Sequence, residues 1–345
     1  MPSKIGTESD RYKSHLTSLL RDKKVTRAEA QALVKELKAP GYTQVRAFYL
    51  AGFVAANQDK FEPGAVKLVN DALKKSKALI EGEVGLARPG GPQSDPGLTK
   101  DDVRGGGVTY TRRDGTAEVG GIGADDPLQG QVGDCYFVSS LSAVAQAHPE
   151  ILEKNMKTNR DGTYTVTFYQ RPDMTKPAKP VQITVDGDFP TKGGRLEYIS
   201  ARENRELWPL VYEKAYAQWK GSYDGIEAGM GSMALEALTG AKPSYFPITS
   251  DADPAKVFQQ VKDACAGKGC VVALSQPFGC DVKGMVDDHA YTLLGTVEKD
   301  GQKLVKVRNP WGEHEVGNDG KDDGVFTLPV EQFVKAFAMV ELVKP

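Results

Sequence analysis

Gln129-Gly-Gln-Val-Gly-Asp-Cys135-Tyr-Phe137 places a cysteine directly after a Gly-Asp turn and at the head of an apolar helical pattern. Apolar residues recur at three- and four-residue spacing through residue 145, which predicts a buried helix with Cys135 in its first turn. Unpaired N–H groups and the positive end of a helix dipole favour a thiolate and lower the pKa of the sulfur. A single cysteine is more often a packed core residue, but this setting predicts that Cys135 is a nucleophile.

A histidine and an asparagine follow in the second half of the chain, in Asp287-Asp288-His289-Ala290-Tyr291 and Val307-Arg308-Asn309-Pro310-Trp311. Two apolar runs joined by a turn at Lys299-Asp300-Gly301 predict a β-hairpin between them. The hairpin would set His289, at the start of one strand, beside Asn309, at the end of the other. The amide oxygen would then accept a hydrogen bond from the imidazole and turn the ring toward the sulfur.

Gln129 lies on the glycine-containing loop that precedes Cys135. Its side-chain amide and the Cys135 backbone N–H would form the pair of donors that stabilises an oxyanion in acyl transfer. A glutamine in such a loop is usually solvated surface. Its place before the Gly-Asp-Cys motif favours the catalytic interpretation.

Four motifs, in this order, resemble the calpain family of papain-fold cysteine proteases. The first is the stretch that ends in Cys135. The others are a helix over residues 207–223 followed by a segment over residues 234–240, then His289-Ala-Tyr291, then Arg308-Asn-Pro-Trp-Gly-Glu313. The resemblance covers roughly residues 105–345. It implies an α+β fold: a papain-like core of two lobes, one helical and one an antiparallel β lobe, with the substrate between them.

The resemblance also implies an activity, a cysteine endopeptidase that hydrolyses peptide bonds through Cys135, His289 and Asn309. It assigns Trp311 to shielding the Asn309–His289 hydrogen bond from water. Two residues depart from the family pattern. Tyr136 replaces a tryptophan, and Asp288 replaces a glycine before the histidine, where its carboxylate would raise the pKa of His289.

Calcium is the cofactor that the resemblance implies, because carboxylate and carbonyl oxygens suit this hard cation. One ion would tie the loop before Cys135 to the helix over residues 207–223. Without an ion, the acidic residues would cap a turn or pair with lysine. A second site, with Glu315 and Asp323, lacks an acidic ligand at Val325. The implied ligands of the first site are two backbone carbonyls, those of Val119 and Gly121, and two carboxylates, those of Asp126 and Glu213.

Two other functions remain compatible with the same motifs. The chain would be a catalytically silent calpain-fold binding module if the reaction had been lost while the fold remained. It would be a papain-fold acyl transferase if an amine, rather than water, accepted the acyl group. The presence of all three catalytic residues argues against the silent module, and only the products distinguish hydrolysis from transfer.

The resemblance implies protein or peptide substrates as partners, and composition disfavours nucleic acid and a membrane span. A net charge of −2 over 345 residues offers no basic face for phosphates, so nucleic acid is disfavoured. The apolar stretch over residues 47–56 is shorter than the roughly 20 residues of a membrane span. Three cysteines crowded before His289 lack zinc spacing. A catalytic thiol must stay reduced, so we expect a cytoplasmic protein, or a secreted one whose signal peptide has been removed.

The first part of the chain is predicted to be a separate helical domain. Apolar spacing predicts helices over residues 12–20, 27–37, 44–56 and 63–80. We divide the chain into an N-terminal helical domain (1–86), a Pro- and Gly-rich linker (87–104), a helical lobe with the nucleophile (105–240) and a β lobe with the histidine and asparagine (241–345). The helical domain would serve as a propeptide or docking module, released by self-cleavage in the linker.

Overall fold

The four predicted N-terminal helices are present, but the first begins at Lys4, ahead of its predicted start at residue 12, and residues 77–80 of the fourth lie outside the described residues. The computed structural model describes residues 4–21, 24–38, 43–76, 95–117, 120–172, 175–314, 316–317 and 321–345. Thr26 caps the second helix, because its hydroxyl accepts the Glu29 N–H at 3.2 Å while the Glu29 carboxylate accepts the Thr26 N–H at 2.7 Å. The helices of this bundle are α1 (Lys4–Ser18), α2 (Arg27–Leu37), α3 (Thr43–Ala56) and α4 (Ala65–Lys75).

The helical lobe is built around the helix that begins at Cys135. Phe137 on that helix stacks on Tyr216 with ring centroids 4.2 Å apart, and Tyr216 in turn packs against Phe168. The elements are α5 (Lys100–Gly105), β1 (Val108–Arg112), β2 (Pro127–Leu128), α6 (Cys135–Ala147), α7 (Pro149–Asn155), β3 (Met156–Thr158), β4 (Tyr164–Gln170), β5 (Lys179–Val185), β6 (Asp188–Lys192), β7 (Arg195–Leu196), β8 (Ser200–Ala201), α8 (Trp208–Lys220) and α9 (Gly231–Thr239).

The β lobe is an antiparallel sheet with helices on its outer face. Its strands pair in the order β13-β12-β11-β10-β14-β9. Along β10, Val271 and Ala273 pack toward the outer helices, whereas Val272 and Leu274 face the helical lobe. The elements are β9 (Ser244–Pro247), α10 (Pro254–Cys265), β10 (Cys270–Ser275), β11 (Ala290–Lys299), β12 (Gln302–Arg308), β13 (Val325–Pro329), α11 (Val330–Ala336) and β14 (Phe337–Val343).

The predicted α+β fold, a helical lobe against an antiparallel β lobe with helices before them, is confirmed. One segment differs from its prediction. The end of the proposed linker forms α5, because the Thr99 hydroxyl accepts the Asp102 N–H at 3.2 Å and so starts a helix. Residues 87–94 of that linker lie outside the described residues. No helix in the described part of the chain is long and apolar enough to cross a membrane.

The two lobes meet where α6 crosses β11. The Ser139 hydroxyl donates to the Ala290 carbonyl at 3.0 Å, and the Thr292 hydroxyl donates to the Ser139 carbonyl at 2.9 Å. Arg308, at the end of β12, is fully buried and donates to the Ser142 hydroxyl at 3.0 Å and to the Pro127 carbonyl at 2.8 Å. Each of these bonds joins a β-lobe residue to α6 or to β2.

The bundle docks on both lobes through a buried carboxyl group. Glu341 on β14 accepts the Gly231 and Ser232 N–H groups at the start of α9, at 2.8 and 3.2 Å. The Gln44 side-chain N–H on α3 also donates to Glu341, and Gln44 Oε1 accepts a hydrogen bond from the Ser232 hydroxyl at 2.8 Å. Burial raises the pKa of Glu341 to about 7. One side chain therefore joins the bundle, the helical lobe and the β lobe.

Gly52 on α3 is a second point of close approach between the bundle and the β lobe. A Cβ at this position would lie 2.3 Å from Pro277 Cδ. We expect Gly52→Ala to lower the free energy of unfolding by about 1–3 kcal/mol, because the rigid proline ring cannot move aside and this cost exceeds the roughly 1 kcal/mol by which alanine favours a helix. Urea denaturation measures the change.

Gly105→Ala is the matched control for this substitution. Gly105 lies at the end of α5, and a Cβ there would meet nothing within 4 Å. Its stability should be equal to or above that of the unchanged chain. Equal stability of the two variants would contradict a tight bundle contact at Gly52.

Candidate active site

The hairpin of β11 and β12 brings His289 and Asn309 together. Thr292 pairs with Arg308 across these strands, so the residue before β11 and the residue after β12 become neighbours. His289 Nε2 lies 3.0 Å from Asn309 Oδ1, and both side chains are buried. Because the amide oxygen accepts, Nε2 carries the proton. Nδ1 is thus left as the nitrogen that can take up a proton.

Cys135 opens into a cavity of about 460 Å³ that it shares with Gln129, His289 and Trp311. The cysteine is half-buried at the first position of α6. The Ala290 backbone, directly after His289, interacts with its thiol. The four predicted catalytic side chains named here, together with Asn309 behind His289, are therefore assembled around one cleft between the lobes.

The resting charge states differ from those that the helix terminus alone predicts. Burial raises the pKa of the Cys135 thiol to about 12, with a further upward contribution from the charges of Asp134 and Asp288. Burial also lowers the pKa of His289 to about 4, against a smaller upward effect of its Asn309 hydrogen bond. At neutral pH the pair is therefore a thiol beside a neutral imidazole. The desolvation cost of a thiolate exceeds the stabilisation by the helix dipole.

Gln129 lines the same cavity but has a local partner. Its Nε2 donates to the Val132 carbonyl at 2.8 Å, and its backbone N–H donates to the Pro310 carbonyl at 2.9 Å. A carboxamide has two N–H groups, so one remains for a ligand in the cleft. The bond to Pro310 ties this loop to the segment after Asn309.

Trp311 lies against the imidazole, with the ring centroids of Trp311 and His289 4.7 Å apart. Its backbone N–H donates to Asn309 Oδ1 at 3.2 Å, so the oxygen that holds the histidine is itself held. Asp288 does not raise the pKa of His289 as predicted. The Asp288 carboxylate accepts hydrogen bonds from Lys13 Nζ at 2.9 Å and from the Tyr49 hydroxyl at 3.3 Å. Burial is the main influence on the pKa of His289 and lowers it.

Comparison with known proteins agrees with this arrangement. A family model described as calpain family cysteine protease matches residues 111–321, which is more than half of the chain. The chain belongs to the calpain family of cysteine proteases. The matched region holds Cys135, His289 and Asn309 and leaves out the N-terminal bundle.

Individual calpains are similar at moderate identity. Calpain-8 of Homo sapiens is 26% identical over 261 residues, which cover 65% of this chain and 36% of the relative. The calpain-2 catalytic subunit of Mus musculus is 28% identical over 259 residues, with the same coverages. The calpain-type cysteine protease ADL1 of Oryza sativa subsp. japonica is 31% identical over 203 residues, 56% of this chain and 9% of the relative. The chain thus spans well under half the length of these calpains.

The predicted calcium ligands bind other partners in the structure. Asp126 accepts the Gly123 N–H at 2.6 Å and the Trp208 indole N–H at 3.3 Å. Glu213 accepts the Ile199 N–H at 3.0 Å. Gly121 is an exposed loop residue with a φ of 100°. Val119, like Glu315 of the weaker site, lies outside the described residues. Among those that are described, no group of three or more His, Cys, Asp or Glu side chains could hold a metal ion.

The donor chemistry of this set still fits a hard cation. Asp126 and Glu213 are buried carboxyl groups, and burial raises the pKa of both. A buried carboxylate without a cationic partner is costly, and a bound cation would reduce that cost. The residues suited to the ion are therefore present, although each carboxylate has its own hydrogen-bond donors.

Asp134, directly before Cys135, faces Glu213 in the interior. Burial raises the pKa of Asp134 to about 8, with a smaller upward effect of the Glu227 charge. Burial, followed by the charge of Asp134, raises the pKa of Glu213 well above its usual value. Two carboxyl groups in contact cannot both ionise at low cost, so the pair keeps a proton near neutral pH. The pair connects the start of α6 to α8. Sequence reasoning assigned Glu213 to a metal and did not include Asp134 in the site.

The three cysteines before His289 do not form a cluster. All four cysteines, each within the described residues, are free thiols. Cys265 and Cys280 pack against the outer face of the sheet, whereas Cys270 belongs to the core on the other face.

Phe48 and Tyr49 of the bundle also line the cavity, and sequence reasoning missed them. The sequence gives little indication of this role, because both residues lie in an apolar helix whose pattern is typical of core packing. Only the docking of α3 on the β lobe turns them toward Cys135. Gly229 also lines the cavity and was missed by sequence reasoning. A Cβ at this position would lie 2.4 Å from the Tyr136 ring.

The proton held by Asp134 and Glu213 makes stability depend on pH. The unfolded chain releases this proton above about pH 4, whereas the folded chain keeps it up to about pH 8. Stability therefore falls as pH rises through this window, by up to about 1.4 kcal/mol per pH unit for one proton. We expect Asp134→Asn to reduce this slope in urea unfolding measured from pH 5 to pH 8, while Glu341, whose pKa is also raised by burial, keeps part of it.

Asp114→Asn provides the matched control, because Asp114 is exposed and distant in sequence from the pair. This variant should keep the slope of the unchanged chain. An Asp134→Asn variant whose slope equals that of the control would show that the pair does not share a proton.

Proposed function

We propose that this calpain-family chain is an active cysteine endopeptidase that hydrolyses peptide bonds through Cys135, His289 and Asn309. The 3.0 Å hydrogen bond between His289 Nε2 and Asn309 Oδ1, beside a cavity that opens onto Cys135, supports this most directly. It leaves Nδ1 of a neutral imidazole available as a base. The chain spans only part of the length of its relatives, so their activity cannot simply be transferred to it. The proposal therefore rests on this geometry and on membership of the family.

The first half of the reaction follows from the resting charge states. The thiol is protonated and the imidazole is neutral, so the proton moves from the Cys135 sulfur to His289 as the sulfur attacks the carbonyl carbon. The carbonyl double bond becomes a single bond to an oxyanion. The Cys135 N–H and the remaining Gln129 N–H donate to that oxygen.

The second half returns the enzyme to its starting state. His289 gives its proton to the leaving nitrogen as the C–N bond breaks, which releases an amine and leaves a thioester on Cys135. Water loses a proton to His289 and attacks the thioester. The carboxylic acid leaves, and the sulfur takes back the proton.

Peptide turnover tests this proposal. Cys135→Ala should abolish cleavage of a fluorogenic peptide library, because no nucleophile remains. Asn309→Ala should lower kcat on the order of 10²-fold, because the imidazole loses the acceptor that orients it. Cys265→Ala, which removes a half-buried thiol elsewhere, should retain the activity of the unchanged chain. Mass spectrometry of the products distinguishes hydrolysis from transfer to an amine.

Cleavage by the Cys135→Ala variant would contradict the assignment of the nucleophile. A folded, unmodified chain that binds peptides but cleaves none would instead be the silent binding module.

Calcium is the second part of the proposal. Asp126, Glu213 and the carbonyls of Val119 and Gly121 would hold the ion, which would neutralise buried carboxylates and tie the loop before Cys135 to α8. We expect CaCl₂ to raise the melting temperature by a few degrees relative to the same chain in chelator. Asp126→Asn should lose that shift.

Asp114→Asn is the matched control, because Asp114 is exposed and belongs to neither predicted calcium site, so the shift should stay in place. A melting temperature that is the same in CaCl₂ and in chelator would remove calcium from the proposal without affecting the nucleophile.

A further inference from the structure

The cavity beside Cys135 has a wall that the protease lobes do not supply. Ser9 and Asp10 of α1 and Phe48 and Tyr49 of α3 line it together with residues of both lobes. These four residues lie outside the matched region, residues 111–321. The N-terminal bundle is therefore part of the cleft that holds the candidate nucleophile.

The part of this wall contributed by α3 is aromatic. Phe48 and Tyr49, which are 3% and 7% exposed, meet edge to face with centroids 4.9 Å apart, and only the small exposed part of each borders the cavity. Met230 from the helical lobe and Leu274 from the β lobe extend the apolar lining. A cavity of about 460 Å³ is within the range of ligand sites, so the bundle borders the space without filling it. An apolar side chain fits such a lining.

The wall is attached to the segment that carries His289. The Tyr49 hydroxyl donates to Asp288 at 3.3 Å, and Lys13 Nζ lies 2.9 Å from the same carboxylate. Asp288 precedes His289 and has a φ of 51°, a left-handed conformation that needs support in a residue with a Cβ. These contacts place the α3 aromatics at a set position relative to the imidazole.

The bundle is also anchored away from the cleft. Asn70 Nδ2 donates to the Ser250 hydroxyl at 3.0 Å, and Lys74 Nζ lies 2.7 Å from Asp251. The Phe53 and Phe278 rings meet edge to face with centroids 5.8 Å apart. These contacts do not depend on the segment over residues 77–94, so cutting that segment would leave the bundle in place.

We propose that Phe48 and Tyr49 form a specificity surface, on which an apolar side chain of the substrate packs next to the scissile bond. This inference rests on the proposed endopeptidase function. The N-terminal bundle is then a permanent part of the substrate site, and its aromatic pair selects among peptides. A propeptide that leaves on activation would not have this role.

Substrate selectivity tests the surface. The library gives the preferred apolar residue, and the measured quantity is the ratio of kcat/KM for that peptide to kcat/KM for its alanine analogue. Phe48→Ala should lower this ratio about tenfold, because the larger side chain loses its packing partner. Tyr49→Ala removes the second ring of the wall and should lower the ratio as well.

Val69→Ala is the matched control for damage to the bundle. Val69 is fully buried on α4 and does not line the cavity, so its truncation weakens the bundle without changing the wall. This variant should keep the selectivity ratio while its melting temperature falls. The proposal would be overturned if the selectivity ratio fell equally in Val69→Ala and Phe48→Ala. It would also be overturned if the ratio fell in neither variant.

Binding separates this inference from the proposed function. In a Cys135→Ala background no cleavage is needed, and fluorescence anisotropy compares the two peptides directly. The preference for the apolar peptide should drop on adding Phe48→Ala, even if the chain proves to be catalytically silent. An unchanged preference would contradict the specificity surface without contradicting the proposed endopeptidase function.

Cutting the segment over residues 77–94 with an added protease is the last measurement. The bundle should co-elute with the protease lobes on size exclusion, with the selectivity ratio retained. Loss of the bundle accompanied by higher activity and the same ratio would favour a propeptide and contradict the specificity surface.

Discussion

The packing of α6 against β11 is the contact on which the rest of the site depends. Ser139 exchanges hydrogen bonds with Ala290 and Thr292, and these bonds set the nucleophile helix against the strand that begins next to His289. Arg308 reinforces the same contact from the end of β12, where its guanidinium replaces water for two carbonyls and a hydroxyl. The side chains involved are all buried, so the register between the lobes is strongly specified.

Burial is the dominant electrostatic influence in this region. It keeps the Cys135 thiol protonated and the His289 imidazole neutral, and it retains a proton between Asp134 and Glu213. Cys135 and His289 are thus both uncharged at rest. In the proposed reaction, a charged pair would form only as bonds to substrate form, when the oxyanion and its donors share the cost of desolvation.

Much of the site was accessible from local patterns. The apolar spacing after Cys135 predicted a helix that begins at that residue, and two runs around a Lys-Asp-Gly turn predicted the hairpin that joins His289 to Asn309. Both patterns report burial along a single element. The pKa directions were wrong for Cys135 and His289 because desolvation depends on what covers a group, which neighbouring residues in sequence do not reveal.

The role of Asp288 likewise depends on contacts that the local sequence does not reveal. Its place before His289 suggested an effect on the imidazole, but Lys13 and Tyr49, more than two hundred residues away in sequence, take up its carboxylate. The predicted bundle helices were close to those observed, yet their position beside the nucleophile was not foreseen. An apolar helix face predicts that something covers it and does not say what.

The amino-acid sequence by itself determined the family, the α+β fold and the order of Cys135, His289 and Asn309 along the chain, because these follow from short motifs and from the periodicity of single elements. Only the tertiary structure decided the charge states, the proton shared by Asp134 and Glu213, and the bundle wall of the cleft. Each of these depends on side chains that meet across elements distant in the chain, where burial and contact are properties of the packing.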